Sequence, residues 1–367
     1  MTLVAAFSIE GIPVLIGDLL LTDTDVRRNH VRLPTRPGLE NMRPATGRNR
    51  IHGFRKKIQK IGDRLAVGFA GDVTAGRLLL RALDKRFSKG PFVLRDLQAF
   101  LANFNCRNLK KMYLVGWAFE KRMHSFHWCS ASPAKFDLIP FAAAGSGVSH
   151  FKNEILPSES SGRSSEITDS LDKAIYTSVM KAGRVLSTEI LKGKNLEYDY
   201  GFGLEVMLWD GAKFFYVDKI AYAFWDININ SDNSFSALPG SISAIYENKE
   251  KFCLMQVSQV RLKTGFLPGF SASETEVHMI TPIHDSMDDF DVRGLTAISY
   301  EDAQLWFSGF VVKNPLTGGR IEFSLVSEYA EDMESPLVSY KHGVLYLNTK
   351  LLREMLPDWL FNVVPTA

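Results

Sequence analysis

Apolar residues come in short runs split by turn residues, and their period changes along the chain. Residues 2–8 form one apolar run and residues 12–20 a second. Glu10-Gly11 separates them and Thr22-Asp23-Thr24-Asp25 closes the second, the pattern of a β-hairpin. A long irregular stretch at about 24–54 follows, rich in Arg, Asn, Pro and Gly. Order resumes at 58–61, turns at Gly62-Asp63 and continues as a strand over 65–70. Gly71-Asp72 then opens a helix with Leu78, Leu79, Leu80 and Leu83 on or near its buried face. Val93, Leu97, Phe100, Leu101 and Phe104 recur at helical spacing and predict a second helix over 92–104. Strands are expected at 112–119 and 122–129, joined by Glu120-Lys121, and at 136–144, broken by Pro140. Gly145-Ser146-Gly147 ends that strand and a helix starts just after it. Beyond a polar loop at 158–165, a long helix begins near Glu166, with Ile167, Leu171, Ile175, Val179, Ala182, Leu186 and Ile190 on one stripe. The run 204–217 reads as a hairpin about Asp210-Gly211, a type I′ signal.

The segment 228–240, rich in Asn, Ser, Asp, Pro and Gly, reads as a domain boundary. It divides the chain into a domain over 1–225, carrying the insertion at about 24–54, and a second over 241–367. Short alternating runs at 251–262, 275–282, 320–326 and 337–347 make the second part mostly β, with a short helix near 351–356. The order of elements implies two packed sheets with helix pairs outside rather than the βαβα rhythm of a doubly wound sheet. The sequence therefore predicts an α+β protein: a four-layer αββα sandwich with a β-rich C-terminal appendage.

Composition narrows this picture only slightly. With 367 residues, 46% hydrophobic and 23% charged, the chain can bury a large core without disulfides or metals. Cys106, Cys129 and Cys253 are widely spaced and read as reduced thiols. His124 and His127 fall on an expected strand, where they face opposite sides, so no metal site is expected. No run of about 18 apolar residues occurs and the first residues do not resemble a signal peptide, so a cytoplasmic protein with no membrane partner is expected.

The net charge is +2, but its distribution is uneven. From 27 to 60 there are eleven Arg and Lys against Glu40 alone, and from 274 to 302 eight Asp and Glu against Arg293 alone. The basic segment is a solvated loop or a dock for something acidic. It has no aromatic residue between His30 and His52 on which a base could stack, so nucleic acid is not expected as a partner. The acidic segment of the same chain is the expected counterpart.

The chemistry is concentrated at the N-terminus. A nucleophile that uses its own α-amine as base needs that amine free, and an α-amine has a pKa of about 7.7–8.0. A nearby ammonium lowers that value, a carboxylate holds the ammonium, and backbone N–H groups stabilise the oxyanion. Thr2 after loss of Met1, a strand-end Asp18, a lysine and two Gly-rich turns supply these parts. Each has a plain reading as well: Asp18 as a strand cap, the lysine as one of a solvated basic run, the glycines as turns. Lys56 adjoins Lys57, so the choice between them depends on register.

Thr2-Leu-Val-Ala-Ala-Phe…Gly11-Ile-Pro-Val-Leu-Ile-Gly17-Asp18…Thr22 resembles the start of mature proteasome β-subunits and of the bacterial heat-shock-locus peptidase, which are N-terminal nucleophile (Ntn) hydrolases. The run from Lys57 to Gly71, including Gly68-Phe-Ala-Gly71, resembles that family's lysine strand and the strand after it. Phe136-Asp-Leu…Ala-Ala-Gly145-Ser146-Gly147 resembles its strand into a Gly-Ser-Gly turn. The resemblance covers roughly 2–217, and the later residues have no counterpart in it. It implies that Thr2 is the nucleophile, Lys57 tunes the amine, Asp18 orients Lys57, the Gly71 amide forms the oxyanion hole, Ser146 supports the amine and Thr22 holds substrate backbone. It further implies a threonine-type peptidase or amidohydrolase acting on peptide or protein without a cofactor. Such an enzyme would work inside a homo-oligomeric ring or spiral, with an ATPase as a further partner. The alternative is a catalytically inactive assembly or binding protein of the same kind.

Overall fold

The computed structural model describes residues 2–23, 50–104, 111–157, 169–192, 200–248, 252–263, 269–285, 299–328 and 337–361. β1 (Val4–Ile9) and β2 (Ile12–Asp18) form a hairpin whose turn residues, Glu10 and Gly11, both have positive φ. β3 (Leu20–Asp23) pairs with β4 (Arg50–Phe54) in a two-stranded ribbon. β5 (Ile58–Ile61), β6 (Leu65–Gly71), β7 (Met112–Phe119), β8 (Met123–Cys129) and β9 (Phe136–Leu138) make an antiparallel sheet in chain order. β10 (Ala142–Ala144), β11 (Leu204–Trp209) and β12 (Phe214–Tyr216) join the first hairpin in the order β10-β1-β2-β11-β12.

The helices are α1 (Val73–Phe87), α2 (Leu94–Asn103), α3 (Val148–His150) running into a π-helix over Phe151–Ile155, α4 (Ser170–Lys192) and α5 (Thr349–Met355). Asp72 caps α1 by accepting from Ala75 N, which stops the chain from extending β6 and turns it into the helix. The expected start of α4 near Glu166, with Ile167, lies outside the described residues.

The largest element is an eight-stranded sheet. Its strands are β13 (Ile220–Ile229), β14 (Phe235–Asn248), β15 (Phe252–Lys263), β16 (Gly269–Ile280), β17 (Leu305–Asn314), β18 (Gly319–Glu328), β19 (Val338–Lys341) and β20 (Val344–Leu347), in the order β18-β17-β13-β14-β15-β16-β20-β19. β13 and β17 run parallel and the other neighbours antiparallel.

Three apolar interfaces hold the stack together. Val4, Ala6 and Leu15 of the first sheet meet Ile58, Ala66 and Val115 of the second. The far face of the second sheet packs Val67, Phe69 and Leu114 on Leu79, Leu83, Leu97 and Leu101 of α1 and α2. The far face of the first sheet packs Ala5, Phe7 and Ile16 on α4, whose Val179, Ala182 and Leu186 share one core with Tyr222, Phe224, Met255 and Phe307 of the eight-stranded sheet. The outer face of that sheet is covered by Leu352, Leu356 and Leu360.

This corrects the expected four-layer αββα sandwich with an appendage. Strand accounts for 47% and helix for 25%, and the described residues form four sheets, the largest of them in the supposed appendage. The physical reason lies in α4. It is apolar enough to be covered on two sides, so the eight-stranded sheet packs onto it and it is not an outer layer. The residues at the expected boundary, 228–240, belong to β13, β14 and the tight turn between them, where Asn230 N donates to Ser234 O. Polar turn residues there mark a hairpin, not a linker. None of the helices in the described residues is long and apolar enough to cross a membrane.

The basic and acidic segments fall largely outside the described residues, which omit 24–49 and 286–298. Where their ends are described they meet through backbone. Lys56 N donates to Thr281 O (3.0 Å) and Ile283 N to Lys56 O (3.2 Å), with a parallel bridge between Lys56 and Pro282.

Candidate active site

Asp18 ends β2 fully buried, at 0% exposure. A carboxylate in such a place has to be hydrogen-bonded, and this one accepts four donors. Its Oδ1 takes Thr2 Oγ1 (2.6 Å), Leu3 N (2.7 Å) and Lys57 Nζ (2.7 Å), and its Oδ2 takes Gly201 N (3.2 Å). Thr2 stands just before β1, held against β2 because Asp18 N donates to Leu3 O (3.0 Å) and so extends the hairpin ladder.

Lys57 precedes β5 and is set from both sides. Its N–H donates to Glu205 Oε1 on β11 (2.8 Å), and its carbonyl accepts from Phe69 N (3.0 Å). Its ammonium, 1% exposed as a residue, donates to Asp18 Oδ1 and to the carbonyl of Leu20. Burial pushes the Lys57 ammonium below the usual lysine range, with Asp18 working against the shift by charge and hydrogen bond.

Adjacent extended residues point opposite ways, and of the two lysines it is Lys57 whose ammonium reaches Asp18. Lys56 Nζ is equally buried but pairs with Glu247 (2.6 Å), stands 3.8 Å from Glu205 Oε2, and lies 3.9 Å from the centre of the Tyr216 ring. Burial works to lower its pKa, but Tyr216, Glu247 and Glu205 outweigh it and hold the ammonium above the ordinary range.

Thr2, Lys57 and Gly71 border a common recess with Leu21, Phe69, Val73 and Ile283. Gly71 ends β6 at φ 122°, and a Cβ there would lie 2.6 Å from Lys111 O, so only glycine serves. The recess is small, with about 20 Å³ open to the centre of a water molecule, which is room for roughly one water.

The Gly145-Ser146-Gly147 turn closes over Thr2 from β10. Gly147 N donates to Thr2 O (3.3 Å), and Gly145, at φ 109°, approaches so closely that a Cβ would sit 1.9 Å from the same oxygen. Ser146 Oγ is buried in this turn without a hydrogen-bond partner among the described residues. Thr22 lies on β3 opposite Ile51 of β4, one residue beyond the recess-lining Leu21. Among the described residues, no group of three or more His, Cys, Asp or Glu converges on a point where a metal ion could sit.

Of the residues named from sequence, Thr2, Asp18 and Lys57 therefore form one hydrogen-bonded unit, and Gly71 shares its recess. Ser146 belongs to the turn over Thr2, and Thr22 adjoins the recess wall. Sequence reasoning missed Gly201, Glu205 and Ile283. Glu205 had a signal, being the lone charge in the apolar run Leu-Glu-Val-Met-Leu-Trp of β11. Gly201 contributes only a backbone N–H, and Ile283 is an apolar residue remote in sequence, so neither could be picked out by residue type. The chain matches no family model and no curated protein at a meaningful level of similarity.

Proposed function

We propose that the chain is an N-terminal threonine hydrolase, a peptidase or amidohydrolase of the Ntn type, that acts once removal of Met1 frees the amine of Thr2. The observation that carries this reading is the shared oxygen: Asp18 Oδ1 accepts from both the Thr2 hydroxyl and the Lys57 ammonium, beside a recess that Gly71 also lines. A buried Asp–Lys pair is a common structural device, but one that also holds an N-proximal hydroxyl at the mouth of a recess has a use for it.

The chemistry follows from the donors present. While Thr2 is in peptide linkage to Met1, its nitrogen is an amide without basicity. Once free, the amine takes the Oγ proton as Oγ attacks the substrate carbonyl carbon. The Lys57 charge nearby keeps that amine from being protonated beforehand. The Gly71 N–H receives the developing oxyanion. Collapse breaks the C–N bond, the departing amine takes the proton from the Thr2 ammonium, and an acyl ester of Thr2 remains. Water then attacks the ester with the amine again as base, which restores the hydroxyl. Ser146 Oγ, unpartnered in the turn over Thr2, is the group proposed to orient the freed amine. Thr22 is proposed to hold substrate backbone from β3. Assembly into a homo-oligomeric ring or spiral in the cytoplasm, fed by an ATPase, belongs to the same reading, and a 41.2 kDa monomer in light scattering would argue against it.

Thr2→Ala tests the activity. It removes one hydroxyl and one methyl beside the recess, and should lower amide hydrolysis by at least about 10³-fold, the scale seen when a nucleophile is lost, while the fold persists. Hydrolysis at the wild-type rate would refute the reading. A second reading has its own observation: Thr2 is only 3% exposed and the recess holds little more than a water. On that reading the protein is a silent assembly or binding protein, and Thr2–Asp18–Lys57 is an internal cross-link. It requires Thr2→Ala to alter stability and nothing else.

A further inference from the structure

Ile283 comes from the far part of the chain, just after β16, yet it lines the recess together with Thr2, Lys57 and Gly71 and is 1% exposed. The residues around it form no regular strand, so their position depends on how they are fastened. Lys56 N and Lys56 O bond to Thr281 O and Ile283 N. Arg55 Nη1 donates to Thr281 Oγ1 (2.8 Å). From α1, Arg77 Nε donates to Ile283 O (3.3 Å) and Arg81 Nε to His284 O (2.7 Å). The segment is thus tied to the residue beside Lys57 on one side and to the helix after Gly71 on the other, across the recess. Among the described residues, the rest of the lining that could meet an acyl side chain is apolar: Leu21, Phe69 and Val73.

We propose that Ile283 is a specificity-determining residue of this site, the wall that limits the acyl-side residue of the substrate to Gly or Ala. The proposal rests on the hydrolase reading above. Its physical basis is volume. About 20 Å³ of the recess is open to a water centre, room for about one water, and Ile283 fills the space beside it that a Leu or Phe side chain would need. A change of one methylene at such a wall alters discrimination by about 10–200-fold. Because the backbone around Ile283 is bonded on both sides, truncating its side chain enlarges the recess without releasing the segment.

The test compares aminomethylcoumarin amides of acetyl-Ala-Ala-Ala and acetyl-Ala-Ala-Leu on the full-length, processed protein. The readout is the ratio of their kcat/KM values, which does not depend on what fraction of a sample is folded. The wild type should favour the Ala substrate. Ile283→Ala should raise the Leu-to-Ala ratio by at least about tenfold, with Ile283→Val, which removes a single methyl, in between. Turnover of both substrates with the same ratio in all three proteins would overturn the proposal and leave the hydrolase reading standing. So would a wild type that prefers Leu. If the wild type cleaves neither amide, the proposal falls together with the reading it rests on.

Discussion

Lys56 and Lys57 are sequence neighbours with equal burial, and they divide the carboxylates around them. Lys57 takes Asp18, while Lys56 takes Glu247 at 2.6 Å with Glu205 further off at 3.8 Å. Glu205 is left as the excess acid. Burial, then the charge of Glu247, raises its pKa to about 8, against the pull of Lys56 and of the N–H groups of Lys57 and Ile58. The consequence for stability has a definite sign. Between the ordinary carboxyl range and about 8 the folded protein holds a proton on Glu205 that the unfolded chain has released, so stability falls as pH rises through this window. Glu205→Gln keeps an acceptor for Lys57 N and cannot ionise. Urea unfolding should find its stability advantage over wild type growing by on the order of 3 kcal/mol between pH 5.5 and pH 8. Parallel pH profiles for the two proteins would show that Glu205 is ionised in the fold. The choice between two adjacent lysines is one thing the sequence left open, because it depends on the register of a short strand against two others. Asp18 was legible because a lone acid closing an apolar strand has to find a partner.

The elements themselves were largely readable from periodicity, and α4 shows both the reach and the limit of that reading. Its stripe of Val179, Ala182 and Leu186 was visible. What a stripe does not reveal is that Gly183, beside it, faces a second sheet. A Cβ on Gly183 would lie 2.2 Å from the Phe307 ring, which is itself packed against Tyr222 and Phe224. Gly183→Ala therefore sets two effects against each other. Helix propensity favours alanine by about 1 kcal/mol, while overpacking a closed core costs about 1–3 kcal/mol. Phe307 is fully buried and has nowhere to retreat, so the cost should win. Net destabilisation of about 1–2 kcal/mol in urea unfolding is expected. A gain of about 1 kcal/mol would mean that α4 does not lie against β17. The hairpin turn at 230–234 was misread for a related reason: Asn, Ser, Asp and Gly serve a tight turn and a linker equally well, and only the pairing of β13 with β14 decides between them.

At the scale of the molecule, the sequence separated what the structure joins. Residues 2–23 and 50–71 supply Thr2, Asp18, Lys57 and Gly71 of the candidate site, and all but the choice of lysine were legible as local patterns. Of the eight-stranded sheet only the runs that became β15, β16, β18, β19 and β20 were foreseen; β13, β14 and β17 were not, and pairing between β13 and β17, or between Lys56 and Pro282, leaves no mark on composition or spacing. That sheet fixes α4 and the segment around Lys56, and it brings Ile283 into the recess. The expected electrostatic docking of the basic and acidic segments concerns residues mostly outside the described ones, and at their described ends the join is made by backbone hydrogen bonds of Lys56 and a side-chain bond from Arg55 to Thr281. The recess is thus assembled from the first 73 residues and from Ile283, while its proposed chemistry requires one covalent event at the N-terminus.

That event is the most direct test of the account. The purified protein would be treated with a peptide epoxyketone bearing Ala next to the warhead, a reagent that closes a ring only with a free α-amine and its neighbouring hydroxyl. The product would be read by intact mass and by sequencing of the N-terminal peptide. The account predicts a chain lacking Met1 that carries one reagent on Thr2, with no adduct on Thr2→Ala. A chain that keeps Met1, or a free Thr2 that stays unmodified while the protein is folded, would contradict it.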